Sequence, residues 1–315
     1  MNSFLQTLLS LGRDLGRWLP GARPAPPTGE DDPQALETMR RAQEARRGGR
    51  LDETRTHYRY VLQRWPHHAE ALRGLRDLAI EAGDWDDAVA IQQRLLTVAK
   101  PGDRAVESEW LAVGYYELGR LELARGDATA AAAQFKAALR ADREFLPATL
   151  ALGDAWAAAG DHREAVRVWE RAAETRPALP LLARLERVYR REGRPSRMIA
   201  LYRSASERVP EDLALAAALG RVYFELEMLD EAAEQFEKLE VRAPDLPVVH
   251  AFLGAVFERR GESREAFDEY RRALRLAHAF DWPHRCQACG AATLTWQDRC
   301  PQCHRWNALH PTPTR

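Results

Sequence analysis

The sequence predicts an all-α superhelix of stacked helix pairs that ends in a small metal-binding module. A period close to 34 residues runs through most of the chain, and such a period indicates a repeat architecture. All four cysteines lie in two Cys-x-x-Cys pairs near the C-terminus. At 315 residues, with 45% hydrophobic and 30% charged residues, the composition is typical of a soluble folded protein.

A stripe of apolar side chains from Phe4 to Trp18 predicts an amphipathic N-terminal helix over residues 1–19. Peripheral membrane contact through residues 4–19, docking on a partner and packing back on the same chain are three open interpretations of this stripe. The uncharged stretch ends at Arg13, well short of the roughly 20 apolar residues that a membrane-crossing helix needs. We therefore expect no transmembrane span.

A proline-rich linker is predicted at residues 20–34, and tetratricopeptide-like helix pairs are predicted over residues 35–280. About seven repeats start near positions 35, 69, 112, 146, 179, 213 and 247. Nine extra residues separate the second and third starts. Pro101 and Gly102 would end one helix there, so the insertion predicts a lengthened helix from about Arg104 through Ala124.

The residue types at fixed repeat positions are those of tetratricopeptide repeats. In the fourth repeat, small Gly153 stands where the two helices of a pair would cross, and Trp169 would fill the groove toward the neighbouring pair. One aromatic residue recurs in the first helix of successive pairs, and a recurring position indicates core packing rather than a stacking platform. These aromatic residues are Trp156, Tyr189, Tyr223 and Phe257.

The first helix of each pair is expected to line a concave face whose middle stretch is locally basic. The candidate partner-binding residues on this face are Arg187, Arg190, Arg191 and Arg221. A groove for an acidic peptide and a solvated charged face are both consistent with these arginines. The net charge of −1 provides no general attraction to nucleic acid or anionic membrane, so partners would be chosen by shape.

The cysteines have the spacing of a tetrahedral metal site, because each Cys-x-x-Cys turn can direct two thiolates at one ion. The predicted ligands are Cys286, Cys289, Cys300 and Cys303. Two disulfides are the disfavoured alternative. Four sulfur ligands leave no coordination position for water, so the site should be structural, with zinc as the expected metal and iron as the alternative. Gly290 follows the first pair, whereas His304 follows the second.

The metal module is predicted over residues 281–311. Between the cysteine pairs, Ala292, Leu294 and Trp296 alternate with threonines, which predicts a hairpin whose apolar face covers the metal. Only five residues separate Phe280 from the first cysteine. We therefore expect the module to pack against the last helix pair, with Trp282 and Trp306 as contacts.

The combination resembles one family, lipopolysaccharide assembly protein B of Gram-negative bacteria, in which tetratricopeptide repeats precede a rubredoxin-like metal module. The resemblance rests on the Cys-Gln-Ala-Cys and Cys-Pro-Gln-Cys pairs, the ten residues between them that begin with Gly290, and Trp306 three residues beyond. It implies a non-enzymatic, cytoplasmic adaptor at the inner-membrane periphery. In that family the adaptor limits lipopolysaccharide synthesis by presenting the lipid A pathway deacetylase to a membrane-bound AAA+ protease.

Two other functions remain open at this point. The first is a general tetratricopeptide scaffold for protein–protein interaction with an unrelated client. The second is a zinc ribbon that binds nucleic acid, which the balance of charge disfavours because residues 281–315 hold four arginines against two aspartates. An enzyme is not expected, since no nucleophile-and-base pair, phosphate-binding glycine loop or open metal site is found.

Overall fold

The computed structural model describes residues 28–276 and 283–311. The predicted N-terminal helix at residues 1–19, most of the linker at residues 20–34, and Trp282 lie outside the described residues. The chain divides into two compact units, Met1–Asp103 and Arg104–Arg315. Within the described residues, no helix is both long enough and apolar enough to cross a membrane.

The first unit contains four described helices in two pairs. They are α1 (Pro33–Arg47), α2 (Leu51–Arg64), α3 (Ala69–Glu81) and α4 (Trp85–Val98). Asp32 is the N-cap of α1 and accepts a hydrogen bond from the Gln34 amide at 2.9 Å. Pro33 follows at the first helical position, where an amide hydrogen would have no partner inside the helix and proline has none to satisfy. The buried side chains of Met39, Leu72 and Leu95 join the helices in one apolar cluster.

The described part of the second unit contains ten helices in five pairs, followed by a three-stranded sheet. The helices are α5 (Arg104–Ala124), α6 (Ala128–Ala141), α7 (Leu146–Ala158), α8 (His162–Thr175), α9 (Leu179–Arg191), α10 (Pro195–Arg208), α11 (Leu213–Glu225), α12 (Leu229–Arg242), α13 (Pro247–Arg260) and α14 (Ser263–Arg275). The strands are β1 (His284–Cys286), β2 (Ala292–Thr293) and β3 (Leu309–Pro311). Helix α5 has the predicted extra length, so the insertion is confirmed as a longer helix.

In the pair formed by α7 and α8, the tight turn is encoded by a glycine followed by an aspartate. Gly160 has φ +86°, a conformation that other residues rarely adopt. Asp161 follows as the N-cap of α8 and accepts from the Glu164 amide at 3.1 Å. This cap satisfies one of the amides that the first turn of the helix leaves without a partner.

In four of the described helix pairs, the helices cross where a glycine of the first meets an aromatic ring of the second, sixteen residues later. A Cβ added at Gly153 would lie 2.1 Å from Nε1 of Trp169, so only glycine permits this close approach. The same arrangement occurs at Gly119 and Phe135, Gly220 and Phe236, and Gly254 and Tyr270. The predicted fold class, an all-α array of tetratricopeptide helix pairs with a small β module, is confirmed.

The recurring aromatic residues pack in the core as predicted. Tyr189 and Tyr223 are buried, and Trp156 packs against the same cluster. Phe257 packs against the neighbouring cluster that surrounds Phe236. These rings therefore hold successive helix pairs together.

Candidate metal centre and the helices that hold it

Two turns of the same construction bring the cysteines together. In the first turn the Gly290 amide donates to the carbonyl of Cys286 at 2.8 Å, and in the second the His304 amide donates to the carbonyl of Cys300 at 2.9 Å. The residue four positions after the first cysteine of each pair has a positive φ, which is +76° at Gly290 and +59° at His304. His304 thus takes the left-handed conformation that glycine takes in the first turn, at some conformational cost.

The four sulfur atoms lie at the corners of a site that fits one tetrahedral ion. The Sγ atoms of Cys286 and Cys303 are 3.6 Å apart, and those of Cys289 and Cys300 are 3.8 Å apart. All four ligand atoms lie within 4.8 Å of one another. A tetrahedral site with metal–sulfur bonds of about 2.3 Å requires sulfur–sulfur distances of about 3.8 Å. All four cysteines are unbridged, so the disulfide alternative is wrong.

Backbone amides prepare the second turn for metal binding. The amides of Cys303 and Gln302 donate to the sulfur of Cys300 and lower the pKa of its thiol to about 6. A thiolate is the form that binds a metal ion. The backbone of the second turn therefore favours the metal-binding form of Cys300.

The sheet of the module differs from the predicted hairpin. Its strand order is β2–β1–β3, and β1 pairs antiparallel with both neighbours. Residues 292–293 therefore pair with β1, the strand that ends at the first cysteine, and not with the far end of their own spacer. Leu294 is 60% exposed, so the prediction that it covers the metal is wrong. Trp296 does pack on the core of the module, beside Cys286 and Leu309.

Trp306 fixes the module to the start of the second unit. Its ring lies edge-on to Tyr116 of α5, with centroids 5.2 Å apart, and to Phe145 just before α7, at 6.2 Å. Tyr116 and Phe145 also contact each other, at 5.5 Å. Edge-to-face pairs of this kind add to the stabilisation from buried area. The three rings therefore form an aromatic cluster between the module and two repeats.

Polar contacts surround this cluster. The Tyr116 hydroxyl donates to Oδ2 of Asp298 at 2.9 Å, and burial followed by the nearby Asp298 carboxylate raises the pKa of Tyr116. The Asn307 side chain donates to the carbonyl of Glu144 at 3.5 Å. Tyr116 therefore remains a neutral hydrogen-bond donor at physiological pH. Its hydroxyl satisfies the Asp298 carboxylate at the edge of the contact between the module and α5.

The prediction that Trp306 contacts the last helix pair is therefore wrong. The short linker suggested that the module packs on its nearest neighbour in sequence. Five residues can nevertheless span about 17 Å when extended, so linker length does not restrict the module to α13 and α14. Trp296 also packs against the buried cluster that contains Leu150 and Leu182, which gives the module a second apolar contact with the repeats.

Replacing Trp306 by alanine should loosen the module without emptying the metal site. The variant loses two aromatic pairs, each worth roughly 0.5–1.5 kcal/mol, while the four sulfurs stay in place. Hydrogen exchange should become faster around Tyr116 and in residues 283–311, and one metal ion per chain should remain bound. Leu294→Ala is the matched control because Leu294 is exposed. Unchanged exchange in the Trp306 variant would contradict the docking role.

A second group of potential ligands brings Glu240 and Glu269 close to His250. Nδ1 of His250 lies 2.7 Å from Oε2 of Glu269, and its Nε2 lies 2.6 Å from the carbonyl of Pro244. Arg272 donates to Glu240 at 2.6 Å. Since both ring nitrogens of the histidine face hydrogen-bond acceptors, neither is available to a metal ion. This cluster ties α12, α13 and α14 together.

The four predicted partner-binding arginines fall into two kinds. Arg190 and Arg221 bind the buried carboxylate of Glu186, at 2.9 Å and 2.6 Å, and both also pair with Glu225. Arg187 and Arg191 are exposed. The structure therefore places two of these arginines in an internal network and leaves two on the surface.

Sequence reasoning missed Glu186, which takes the place of the crossing glycine in its repeat. It stands sixteen residues before Tyr202, whose hydroxyl donates to Oε2 of Glu186 at 2.5 Å. Burial alone would raise the pKa of Glu186, but hydrogen bonds from Arg221, Tyr202 and Arg190 lower it below its ordinary value. The backbones of α9 and α10 approach each other closely at fewer points than those of any other helix pair in the described chain. A glutamate at the position where other repeats have the crossing glycine was the sequence signal that could have indicated this network.

Family models cover both parts of the chain. Tetratricopeptide-repeat models match residues 45–105, 116–180 and 185–247. A model described as the rubredoxin metal binding domain, the zinc ribbon of LapB, matches residues 284–311. The chain is a tetratricopeptide scaffold for protein partners that carries a LapB-type zinc ribbon. The two matches together confirm the resemblance to the lipopolysaccharide assembly protein B family.

No curated protein matches the chain. The similar solved structures include MamA from Desulfovibrio magneticus RS-1 (residue 41 to the end), with 22% identity, a TM-score of 0.38, and coverage of 52% of this chain and 94% of that one. Another is YrrB, described as a TPR protein with an unusual peptide-binding site, with 20% identity, a TM-score of 0.36, and coverage of 53% and 86%. TM-scores this low support no inference about this chain.

Proposed function

We propose that this protein is a non-enzymatic adaptor that presents a client protein to a protease. The observation that carries the proposal is the zinc ribbon of LapB type seated on the repeats through Trp306, Tyr116 and Phe145. By resemblance to the lipopolysaccharide assembly protein B family, the client is the lipid A pathway deacetylase and the protease is a membrane-bound AAA+ protease. The outcome would be lower lipopolysaccharide synthesis.

The second unit supports an adaptor because it offers two kinds of surface, its helix pairs and the metal module. Helix pairs present side chains of their first helices to a partner, as repeat scaffolds generally do. The module adds a different surface, whose position is fixed by aromatic packing on α5. Binding two proteins at once raises the effective concentration of the client at the protease. No chemical step by this chain is required.

We propose zinc as the resident ion, held by all four cysteine thiolates. Such a site supplies folding energy and leaves no position for substrate or water. Iron accepts the same tetrahedral sulfur ligands, so elemental analysis of protein purified from its native cell separates the two metals. A metal-to-protein ratio of one with zinc predominating supports the proposal, and predominant iron contradicts it.

Capture from the native cell tests the adaptor function directly. The full chain, tagged and expressed at its natural level, should retain both the deacetylase and the protease, and deleting its gene should lengthen the lifetime of the deacetylase. A general scaffold would capture other clients and leave that lifetime unchanged. A nucleic-acid-binding ribbon would instead lose its captured material after nuclease treatment. Either of these results would replace the adaptor proposal.

We also propose peripheral contact with the cytoplasmic face of the inner membrane through residues 4–19. The support is the apolar stripe between Phe4 and Trp18, since amphipathic helices of this kind bury one face in the lipid interface. Deleting residues 2–19 should move the protein from the membrane fraction to the supernatant, whereas carbonate should extract the intact form. An intact protein that is already confined to the supernatant would contradict membrane contact.

A further inference from the structure

One short segment of a chain that is close to neutral overall carries an excess of positive charge. Residues 179–197, which comprise α9 and the start of α10, contain six arginines and two glutamates, whereas the whole chain has a net charge of −1. Local concentrations of one sign of charge attract partners of the opposite sign. What this segment can bind depends on which arginines are already neutralised.

Four of the six arginines have carboxylate partners within the protein. Arg184 reaches both oxygens of Asp154, with nitrogen–oxygen distances of 2.7–3.0 Å. Arg190 pairs with Glu186 and Glu225. The remaining two pairs are Arg194 with Glu192 at 3.2 Å and Arg197 with Glu170 at 3.5 Å.

The other two arginines of this segment are Arg187 and Arg191. Both are exposed with the metal module in place, and among the residues that the structure describes, neither has a carboxylate within ion-pair distance. They are four residues apart on α9, so they share one face of the helix with their Cβ atoms about 5–6 Å apart. The chain therefore presents two adjacent guanidinium groups to solvent.

The helix that carries them is held in a defined orientation. Glu186, which immediately precedes Arg187 in sequence, is buried and receives hydrogen bonds from Tyr202 of α10 and Arg221 of α11. These bonds fix α9 against both neighbours, and they also use Arg221 internally. A fixed support reduces the entropy lost when a ligand binds.

We propose that Arg187 and Arg191 bind two carboxylates of an acidic segment in the partner protein. This inference rests on the adaptor function and adds the chemistry by which the client is recognised. Guanidinium groups bind carboxylates through paired, charge-assisted hydrogen bonds. Side chains at positions i and i+2 of an extended segment are about 6.6 Å apart, and those at i and i+4 of a helix are about 5–6 Å apart. Both spacings suit the two arginines.

The surroundings favour an acidic peptide over a nucleic acid. A phosphate backbone carries closely and regularly spaced charges, and it is bound by extended basic surfaces. Here the other four arginines of the segment are already paired with carboxylates, so the basic surface is limited to Arg187 and Arg191. A short acidic segment needs only the two exposed charges.

The test uses the full, metal-loaded chain and a fluorescein-labelled peptide of six Ala-Glu repeats. Arg187→Glu/Arg191→Glu should weaken binding, measured by fluorescence anisotropy, at least tenfold. Arg163→Glu/Arg171→Glu is the matched control, because it makes the same change of charge at two exposed arginines of α8 and should bind as the original chain does. A peptide of six Ala-Gln repeats, which has no carboxylate side chains, should not bind.

Equal affinities of the two double variants would overturn the inference, as would equal binding of the Ala-Gln peptide. Displacement of the peptide by duplex DNA at lower concentrations than by unlabelled peptide would assign the surface to polyanions and also overturn it. Failure to capture the deacetylase would contradict the adaptor function without changing the anisotropy result. The two ideas can therefore fail separately.

Discussion

Replacing Cys300 by serine should release the metal ion and unfold residues 283–311, while α5 to α14 remain folded. The module buries only a small apolar cluster around Cys286, Cys300, Ala308 and Leu309, and a domain this small needs an ion or a disulfide to be stable. Structural zinc contributes an apparent binding free energy of roughly 10–16 kcal/mol. Elemental analysis should show the loss of one ion per chain, and the far-ultraviolet circular dichroism should stay strongly helical.

The matched control for this variant is His304→Gly. Glycine adopts the positive φ found at His304 without strain, so this change should leave the ion bound and the module folded. Retention of the metal by Cys300→Ser would contradict the four-sulfur site. Loss of the whole helical signal would show instead that the repeats need the module to fold, since solenoid stability is expected to be a sum over neighbouring helix pairs.

Gly153→Leu should destabilise the second unit by several kcal/mol. The first added carbon alone would lie 2.1 Å from the indole of Trp169, and Trp169 is buried, so α7 and α8 must separate. Overpacking of a filled site typically costs about 1–3 kcal/mol, and forcing two helices apart adds the lost contacts of both. Urea denaturation followed by circular dichroism should show a lower midpoint.

A double-mutant cycle tests the cause of that loss. Trp169→Ala alone removes a large buried ring and should also destabilise the protein, by about 3–5 kcal/mol. In the double variant the leucine can occupy the space of the ring, so the combined loss should be smaller than the sum of the two. Gly102→Leu is the control, because a Cβ there meets nothing within 4 Å. Additive losses would contradict the close crossing.

The regular parts of this structure could be predicted from sequence because each follows from local chemistry. The glycines and aspartates that end and begin helices act within a few residues, so the lengthened α5 (Arg104–Ala124) could be predicted. The cysteine spacing is also local, and each pair needs only one turn. Gly153 and Trp169 are sixteen residues apart, but the repeat pattern relates them.

The contacts that could not be predicted join residues with no repeat relation. Tyr116 and Trp306 lie 190 positions apart, and nothing in the local pattern around either ring indicates the other. The length of the linker indicated the wrong neighbour for Trp306. A short linker limits how far the module lies from the last helix but not the direction in which it lies. Glu186 was missed for a different reason: a repeat analysis emphasises the positions that agree, and the informative residue was the one that differed.

The packing of Trp306 on Tyr116 makes the ion and the helix repeats thermodynamically linked. When metal binding folds the module, the folded form gains its contacts with α5, so part of the metal affinity comes from the repeats. Linkage of this kind is reciprocal for binding free energies. A partner that competes with Trp306 for the ring of Tyr116 must weaken metal affinity by the factor by which metal weakens that partner. The metal content of the protein would then report which partner occupies α5.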